Sequence, residues 1–363
     1  MKLNLWTSLT GTSGYSCHGR NLALALQRAG VDLAIDMQDI NPDWKKTIPK
    51  ELHEAVKRDY SYEKTVAITL PPYLAIKSGD QLPGYYGYCV FEGTKMMPYW
   101  VEALNASYLT KVLVPSQYVK QVCIDSGVTK EIVVVPHGFD PAVFKPDGNK
   151  MGQFSPDNFN FLFAGGWKDG VRDRKGLDIA LKAFSEEFKP TEKVAFYAKI
   201  NAAYQHPQVV IDAVGALGLP KAKDRGIIEL LFNTVTDEVM ASTYRGADVL
   251  VAPSKGEAFN MPVLEAMACG TPSIVTNYGG QLDYVNEGNG WLLDIDGMAP
   301  ATGEKHIYQK AEWAVPSVKH LRELMRYCFD NREEVKKSGK QGIEDVKSWS
   351  WAESARKLSE AVA

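Results

Sequence analysis

Short apolar runs separated by longer amphipathic stretches recur along the chain, and the alternation begins at the first residues. Leu3 to Thr7 reads as a buried strand, Gly11 to Gly19 as a glycine-rich turn, Asn21 to Ala29 as a helix stopped by Gly30, and Val31 to Ile35 as a second strand. That is one βαβ unit. Further β-branched runs at Thr65 to Thr69, Tyr88 to Phe91, Lys111 to Val114 and Ile132 to Val135 are spaced by helical or loop material, as a parallel sheet requires. The stretch from Pro136 to Asn158, which carries Pro141, Pro146, Gly148, Gly152 and Pro156, has the composition of a linker.

After it the pattern restarts. Phe159 to Ala164 reads as a buried strand, Gly165-Gly166 as a turn and Leu177 to Phe188 as a helix. Strands follow at Val194 to Ile200, Ile227 to Phe232, Val249 to Ala252 and Ser273 to Thr276, with helices from Asp237 and from Pro262 between them. The terminal Trp349 to Val362 is amphipathic, with Trp351, Ala355, Leu358 and Val362 on one face. The expected class is α/β, with two Rossmann-like domains and a deep cleft between them. Residues 1–145, with a C-terminal helix at 349–363 packing back, form the first domain, and residues 155–345 form the second.

Composition narrows what such a fold does. At 363 residues the chain exceeds one ordinary core, and 23% charged with 45% hydrophobic residues is the profile of a folded chain. A net charge of −3 without long Lys/Arg blocks argues against nucleic acid as the principal partner. The five cysteines, Cys17, Cys89, Cys123, Cys269 and Cys328, are scattered and never form a Cys-x-x-Cys pair, so neither a disulfide framework nor a zinc knuckle is expected. With no signal-peptide pattern and no long apolar span, the expected location is the cytoplasm. Peripheral contact with the inner face of a membrane is left open, because a modest basic patch is invisible in sequence.

The segment with chemical content runs from Pro253 to Gly270, directly after the strand Val249 to Ala252. Pro262 suits the first helical position and Gly270 the residue just past the end, while Val263, Leu264 and Met267 pack on the sheet. Gly256 to Met261 is then the loop feeding a helix N-terminus. The amides of Phe259, Asn260 and Met261, with the helix dipole behind them, suit a diphosphate without any metal. Glu257 stands before the helix and Glu265 one turn into it. Were the intervening span helical, their separation would be about 12 Å of rise. A glycosidase needs its two carboxyls roughly 5 to 9.5 Å apart across one bond, whereas this spacing suits two grips on one extended ligand. Taken alone, such a pair is an ordinary pair of surface glutamates.

In context, the stretch GEAFNMPVLEAMACGTPSIVTNYGG resembles the Glu-x7-Glu segment of family 4 glycosyltransferases, which have the GT-B fold. The likeness extends to the glycine-rich N-terminal turn, to VVVPHGFDPAVFKP at the linker, and to FLFAGGW and DRKGLDIALKAF at the start of the second half. It implies a retaining, metal-independent hexosyltransferase. Such an enzyme takes a UDP- or GDP-linked sugar as co-substrate, without a cofactor, and gives it to a glycan or glycolipid hydroxyl, as in cell-surface glycan biosynthesis. It further implies that Glu257 holds donor-sugar hydroxyls, Glu265 the ribose hydroxyls, and the amides of Ala258, Phe259, Asn260 and Met261 the sugar or phosphates. Arg174-Lys175-Gly176 matches the family's Lys-Gly pair, whose positive charge faces the diphosphate, where it must meet the leaving group. This chain departs from the family's Gly-Arg after the first strand of the second domain: it has Gly165-Gly166-Trp167, leaving Gly166 as a donor contact and Arg172 or Lys168 as candidates for a second cation.

Gly14 in the N-terminal turn lets backbone approach a ligand at a strand end. Glu92, at the end of its predicted strand, is read as an acceptor-side carboxylate that orients or deprotonates the incoming hydroxyl. Thr234, in Asn233-Thr234-Val235, falls near the base by resemblance. Tyr85, Tyr86, Tyr88 and Trp100 are either a sugar-stacking surface or core. His18 is placed after the glycine turn, facing the cleft, and His137 in the linker turn. Asp294-Ile295-Asp296 spells a metal-binding Asp-x-Asp but is read as loop acids. Asp36, at the end of the second strand, keeps open a dinucleotide-dependent Rossmann enzyme, and a non-catalytic nucleotide-sugar-binding protein is the other alternative.

Overall fold

The structure, a computed structural model, describes residues 1–39, 41–77, 84–168, 170–201 and 205–363. Its contacts divide the chain into two units, Met1–Asp140 together with Trp349–Ala363, and Pro141–Ser348.

The first unit is built on six strands: β1 (Lys2–Thr7), β2 (Asp32–Met37), β3 (Lys64–Ile68), β4 (Gly84–Tyr88), β5 (Lys111–Val114) and β6 (Ile132–Val134). They pair in parallel in the order β2-β1-β3-β4-β5-β6. The connecting helices are α1 (Gly14–Arg28), α2 (Trp44–Thr47), α3 (His53–Lys57), α4 (Pro98–Leu104) and α5 (Gln117–Ser126). Helix α1 starts inside the glycine-rich turn, because the Ser13 hydroxyl accepts the Ser16 amide and caps it there.

Strand β4 lies upstream of the predicted Tyr88 to Phe91. Tyr85, Tyr86 and Tyr88 are buried along it, and Trp100 is buried on α4, so this aromatic stretch is core and offers no stacking surface to a sugar. His18 is likewise a core residue: its ring lies 4.3 Å from His137 and 4.5 Å from Tyr88, with Trp351 stacked at 5.7 Å. His137 is buried in the same cluster instead of serving a linker turn. Both imidazoles stay neutral, since burial lowers the pKa of His18 far below its ordinary value and that of His137 to about 3.

The second unit repeats the plan with β7 (Phe159–Gly165), β8 (Val194–Ile200), β9 (Ile227–Leu231), β10 (Val249–Ala252), β11 (Ser273–Thr276) and β12 (Gly290–Leu293). All pair in parallel in the order β12-β11-β10-β7-β8-β9. Its helices are α6 (Leu177–Glu187), α7 (Pro207–Gly215), α8 (Asp237–Gly246), α9 (Met261–Ala268), α10 (Lys305–Tyr308), α11 (Val318–Asp330) and α12 (Arg332–Val346). Phe159, Phe161, Phe163, Phe184, Phe188 and Phe196 form the centre of its core. The strand order reverses at β7 and β10, where Phe161 faces Val249 and Leu162 faces Leu250. The crevice beyond the carboxyl ends of such a pair is where open α/β sheets bind ligands.

Residues 141–158 are docked rather than a free linker. The Met151 amide donates to the Ser242 carbonyl (2.9 Å), Arg245 binds the carbonyls of Asn149 (2.9 Å) and Lys145 (3.1 Å), and the Phe154 ring packs 4.2 Å from that of Tyr197. The boundary therefore falls at Asp140 and Pro141. A hairpin of β13 (Ile295–Pro300) and β14 (Glu312–Pro316) follows β12, so Asp296 is a strand residue and not a loop acid. Helix α13 (Trp351–Ala361) belongs to the first unit: the Phe139 amide donates to Trp349 (3.1 Å), and Lys64 Nζ binds the carbonyls of Val362 (2.6 Å) and Ala363 (2.7 Å).

Candidate active site

At the reversal point in the second unit, the loop after β7 brings Arg174 and Lys175 to the loop after β10, which carries Glu257. Arg174 Nη1 donates to Glu257 Oε2 at 2.8 Å and Lys175 Nζ to Oε1 at 2.6 Å. Arg174 also binds the Gly256 carbonyl (2.9 Å), and its own carbonyl accepts the Lys255 amide (2.6 Å), which joins the two loops edge to edge. Gly176 makes this approach possible. Its φ is +73°, and a Cβ there would sit 2.2 Å from the Pro253 carbonyl oxygen.

The Glu257 side chain is 4% exposed. Burial alone would raise its pKa, but the charges of Lys175 and Arg174 and hydrogen bonds from Lys175 and Ser254 bring it down to about 2. The group is a permanent carboxylate at neutral pH. With two cations on one anion, the cluster retains one net positive charge beside the N-terminus of α9.

Helix α9 opens at Met261, with Pro262 second, and Gly270 takes a left-handed φ of +85° just beyond its end. Its cap residue, Asn260, has φ +75°. The backing comes from the turn after β11. The Tyr284 hydroxyl reaches the carbonyls of Phe259 (2.8 Å) and Asn260 (2.7 Å), its ring packs 5.2 Å from Phe259, and the Gly280 amide donates to the Glu257 carbonyl (2.8 Å). Gly279, at φ +100°, would bring a Cβ within 2.9 Å of that same carbonyl oxygen.

Glu265 is half-buried on α9 and accepts the Tyr244 hydroxyl at 3.1 Å. Burial of the carboxyl, then the charge of Asp237, push its pKa up to about 8, against the smaller lowering by Tyr244. Burial and charge thus set the two glutamates apart: Glu257 is held ionised, while Glu265 holds its proton to higher pH than an ordinary glutamate.

The fold of the chain is shared with solved structures. Sucrose-phosphate synthase from Thermosynechococcus elongatus superposes with a TM-score of 0.72 at 18% identity, covering 99% of this chain and 98% of that one. HepE of Anabaena, solved in complex with UDP and glucose, gives 0.68 at 15% identity, covering 99% of both chains. The chain has the GT-B fold. Within it, residues 158–305 match the family model described as Glycosyl transferases group 1. A D-inositol 3-phosphate glycosyltransferase from Paenarthrobacter aurescens is 29% identical over 185 residues, 47% of this chain and 40% of that protein. An uncharacterized glycosyltransferase of Methanocaldococcus jannaschii is 27% identical over 245 residues, 66% of this chain and 56% of that one. The alignments thus span only about half the length, or less, of these curated relatives.

Of the residues singled out in sequence, the GT-B second unit brings Glu257, Arg174 and Lys175 into direct contact. It sets Ala258, Phe259, Asn260 and Met261 at the mouth of α9 and Glu265 within it, and leaves Gly166 just past β7. Thr234 is exposed in the loop between β9 and α8, where Lys199 Nζ donates to the neighbouring Asn233 carbonyl. The candidates for a second cation are placed elsewhere: Lys168 Nζ pairs with Glu304 at 3.0 Å, and Arg172 is exposed, its carbonyl taken by Thr302. Gly14 and Glu92 lie in the first unit, Gly14 opening α1 and Glu92 half-buried four residues past β4.

The Leu9 amide donates to the Asp39 carboxylate at 3.0 Å, as does the Thr10 amide, while Arg20 binds the carbonyls of Leu9 (2.6 Å) and Gly11 (2.5 Å), so the glycine turn is braced by its own unit. Asp36, the acid at the end of β2, is ion-paired with Lys77. Asp294 faces His320 Nδ1 at 3.1 Å, and no cluster of three or more metal-ligating side chains occurs among the described residues. Sequence reasoning missed Ser254, Tyr284, Tyr244 and the Gly279-Gly280 backing. Only the glycine pair carried a local signal, since a hydroxyl that reaches a loop 24 or 25 residues away leaves no spacing pattern.

Proposed function

We propose that this chain is a retaining glycosyltransferase of family 4, transferring a hexose from a nucleotide diphosphate sugar to an acceptor hydroxyl without a metal ion. The observation that carries the reading is the convergence of Arg174 and Lys175 on Glu257 beside the N-terminus of α9. A diphosphate leaving group needs positive charge fixed in advance, and two cations with the amides and dipole of a helix start provide it. In this reading the acceptor oxygen bonds to C1 of the sugar as the C1–O bond to phosphate breaks. The acceptor proton passes to the departing phosphate on the same face, and the nucleoside diphosphate leaves.

Glu257, held anionic, cannot act as a proton donor. Its part is to accept sugar hydroxyls and keep the two cations in place. Glu265 takes the ribose hydroxyls, Thr234 lies by the base, Gly14 and Gly166 allow close backbone approach, and Glu92 orients the acceptor. UDP-linked donors are favoured by the neighbour solved with UDP and glucose. For the acceptor, a glycan or glycolipid is our first reading, made in a cytoplasmic or membrane-peripheral setting. The name of the Paenarthrobacter relative adds an inositol phosphate to the panel to be tried.

Incubating the chain with UDP- and GDP-hexoses and an acceptor panel, with EDTA throughout, tests this by NMR of the product anomer. Product of the donor's own anomeric configuration supports the proposal. Inverted product, or turnover only when a divalent cation is restored, overturns it.

A further inference from the structure

Asn260 is the one residue other than glycine with a positive φ among the described residues. Glycine is the default occupant of such a backbone, with asparagine the side chain that tolerates it best. Asparagine at a helix cap usually earns its place by accepting an amide from the first turn, yet the Asn260 side chain makes no capping bond. The residue is only 7% exposed, and its Nδ2 is buried with no hydrogen-bond partner. Buried donors are nearly always bonded, so one that is not, at the mouth of α9, points to a ligand. The backbone at this point is held from behind by the Tyr284 hydroxyl on the carbonyls of Phe259 and Asn260. The loop's geometry therefore does not depend on the asparagine side chain.

We propose, resting on the donor reading above, that the Asn260 side-chain amide is a specificity-determining contact to a hydroxyl of the transferred sugar. A neutral amide both donates and accepts, which matches a hydroxyl. The diphosphate calls for positive charge, and Arg174 and Lys175, paired with Glu257 three residues before Asn260 in sequence, supply that instead.

The test is Asn260→Gly, because glycine takes a φ of +75° without strain and leaves the backbone amides in place. Calorimetric titration of UDP-glucose against UDP, and of GDP-mannose against GDP, is compared for the native chain and the variant, with thermal unfolding as the check on folding. The proposal predicts an unchanged or raised melting temperature, an unchanged Kd for the bare nucleotide, and a Kd for the nucleotide sugar weakened about 3- to 10-fold, the worth of one neutral hydrogen bond. Equal weakening of nucleotide and nucleotide sugar assigns Asn260 a role in loop geometry and overturns the proposal, as does no change in either. If the native chain binds no nucleotide sugar, the donor reading itself fails and takes this inference with it.

Discussion

A carboxylate as deeply buried as Glu257 stays ionised only because its cations stay with it. Removing one partner of a buried pair leaves charge uncompensated and costs about 3 to 5 kcal/mol when no other partner remains. In Lys175→Met, Arg174 still pairs with Glu257, so the expected stability loss is smaller, about 1 to 2 kcal/mol by thermal unfolding. In the proposed reaction the same change also removes positive charge from the leaving-group side, and kcat is then expected to fall about 100- to 1,000-fold, as for loss of one fixed donor at a site of developing charge. A loss confined to stability, with kcat kept, would place Lys175 outside the chemistry.

Glu265 makes the opposite case, since burial and Asp237 hold its pKa up at about 8. In the proposed site the ionised form accepts ribose hydroxyls, so binding of a nucleotide sugar requires the proton to leave. The sign follows: apparent affinity is lowest at pH 6, rises by up to about tenfold per pH unit, and levels above pH 8. The diphosphate of a nucleotide sugar stays fully ionised and its base uncharged between pH 6 and 8, so titrations over that range isolate the effect. Glu265→Gln is expected to bind more weakly and to show a flat profile, and a flat profile in the native chain contradicts the role.

Among the elements, β5, β8, β10 and β11 match their predicted spans residue for residue. Buried parallel strands are short continuous apolar runs, and that signal is local. The Pro253 to Gly270 loop and helix were legible for the same kind of reason, since Pro and Gly mark both ends of α9. What was hidden depends on tertiary contact. Tyr85, Tyr86 and Tyr88 look equally like a sugar platform until β3 and β5 are seen to flank β4, and residues 141–158 look like a linker until Arg245 and Phe154 tie them down. The roles of Ser254 and Tyr284 arise only when distant loops meet.

One local feature governs the meeting of those loops. Gly176→Ala would place a Cβ 2.2 Å from the Pro253 carbonyl oxygen at φ +73°, forcing the Arg174-Lys175 loop away from Glu257. Strain at such a position costs about 1 to 3 kcal/mol before the clash is counted. The variant is expected to lose that stability and nearly all transfer activity together, whereas retention of full activity would show that the loop contact is dispensable.

At the scale of the whole molecule, the chain passes from the first unit to the second after Asp140 and returns at Trp349. The C-terminal helix thus completes the core of the first unit, with Trp351 stacked on His18. Protons couple to that packing. Both histidines have folded pKa values below the unfolded value of about 6.5. The unfolded chain therefore binds protons first as pH falls, so the stability they contribute is full above about pH 6.5 and is lost progressively toward the folded pKa values, near 3 for His137. Melting of the first unit is expected to drop between pH 7.5 and 5, and His18→Phe is expected to flatten that drop. A steeper dependence in the variant would contradict the assignment.

The proposed function requires one binding event in the second unit, that of a nucleotide diphosphate sugar held by Glu265, the α9 N-terminus and the Arg174-Lys175-Glu257 cluster. The most direct measurement is a thermal-shift screen of UDP-, GDP- and ADP-sugars, with and without EDTA, on the native chain and on Glu265→Ala. Stabilisation by one base class, unaffected by EDTA and lost in the variant, is the expected result. Absence of stabilisation by every nucleotide sugar, or stabilisation only in the presence of a divalent cation, would contradict it.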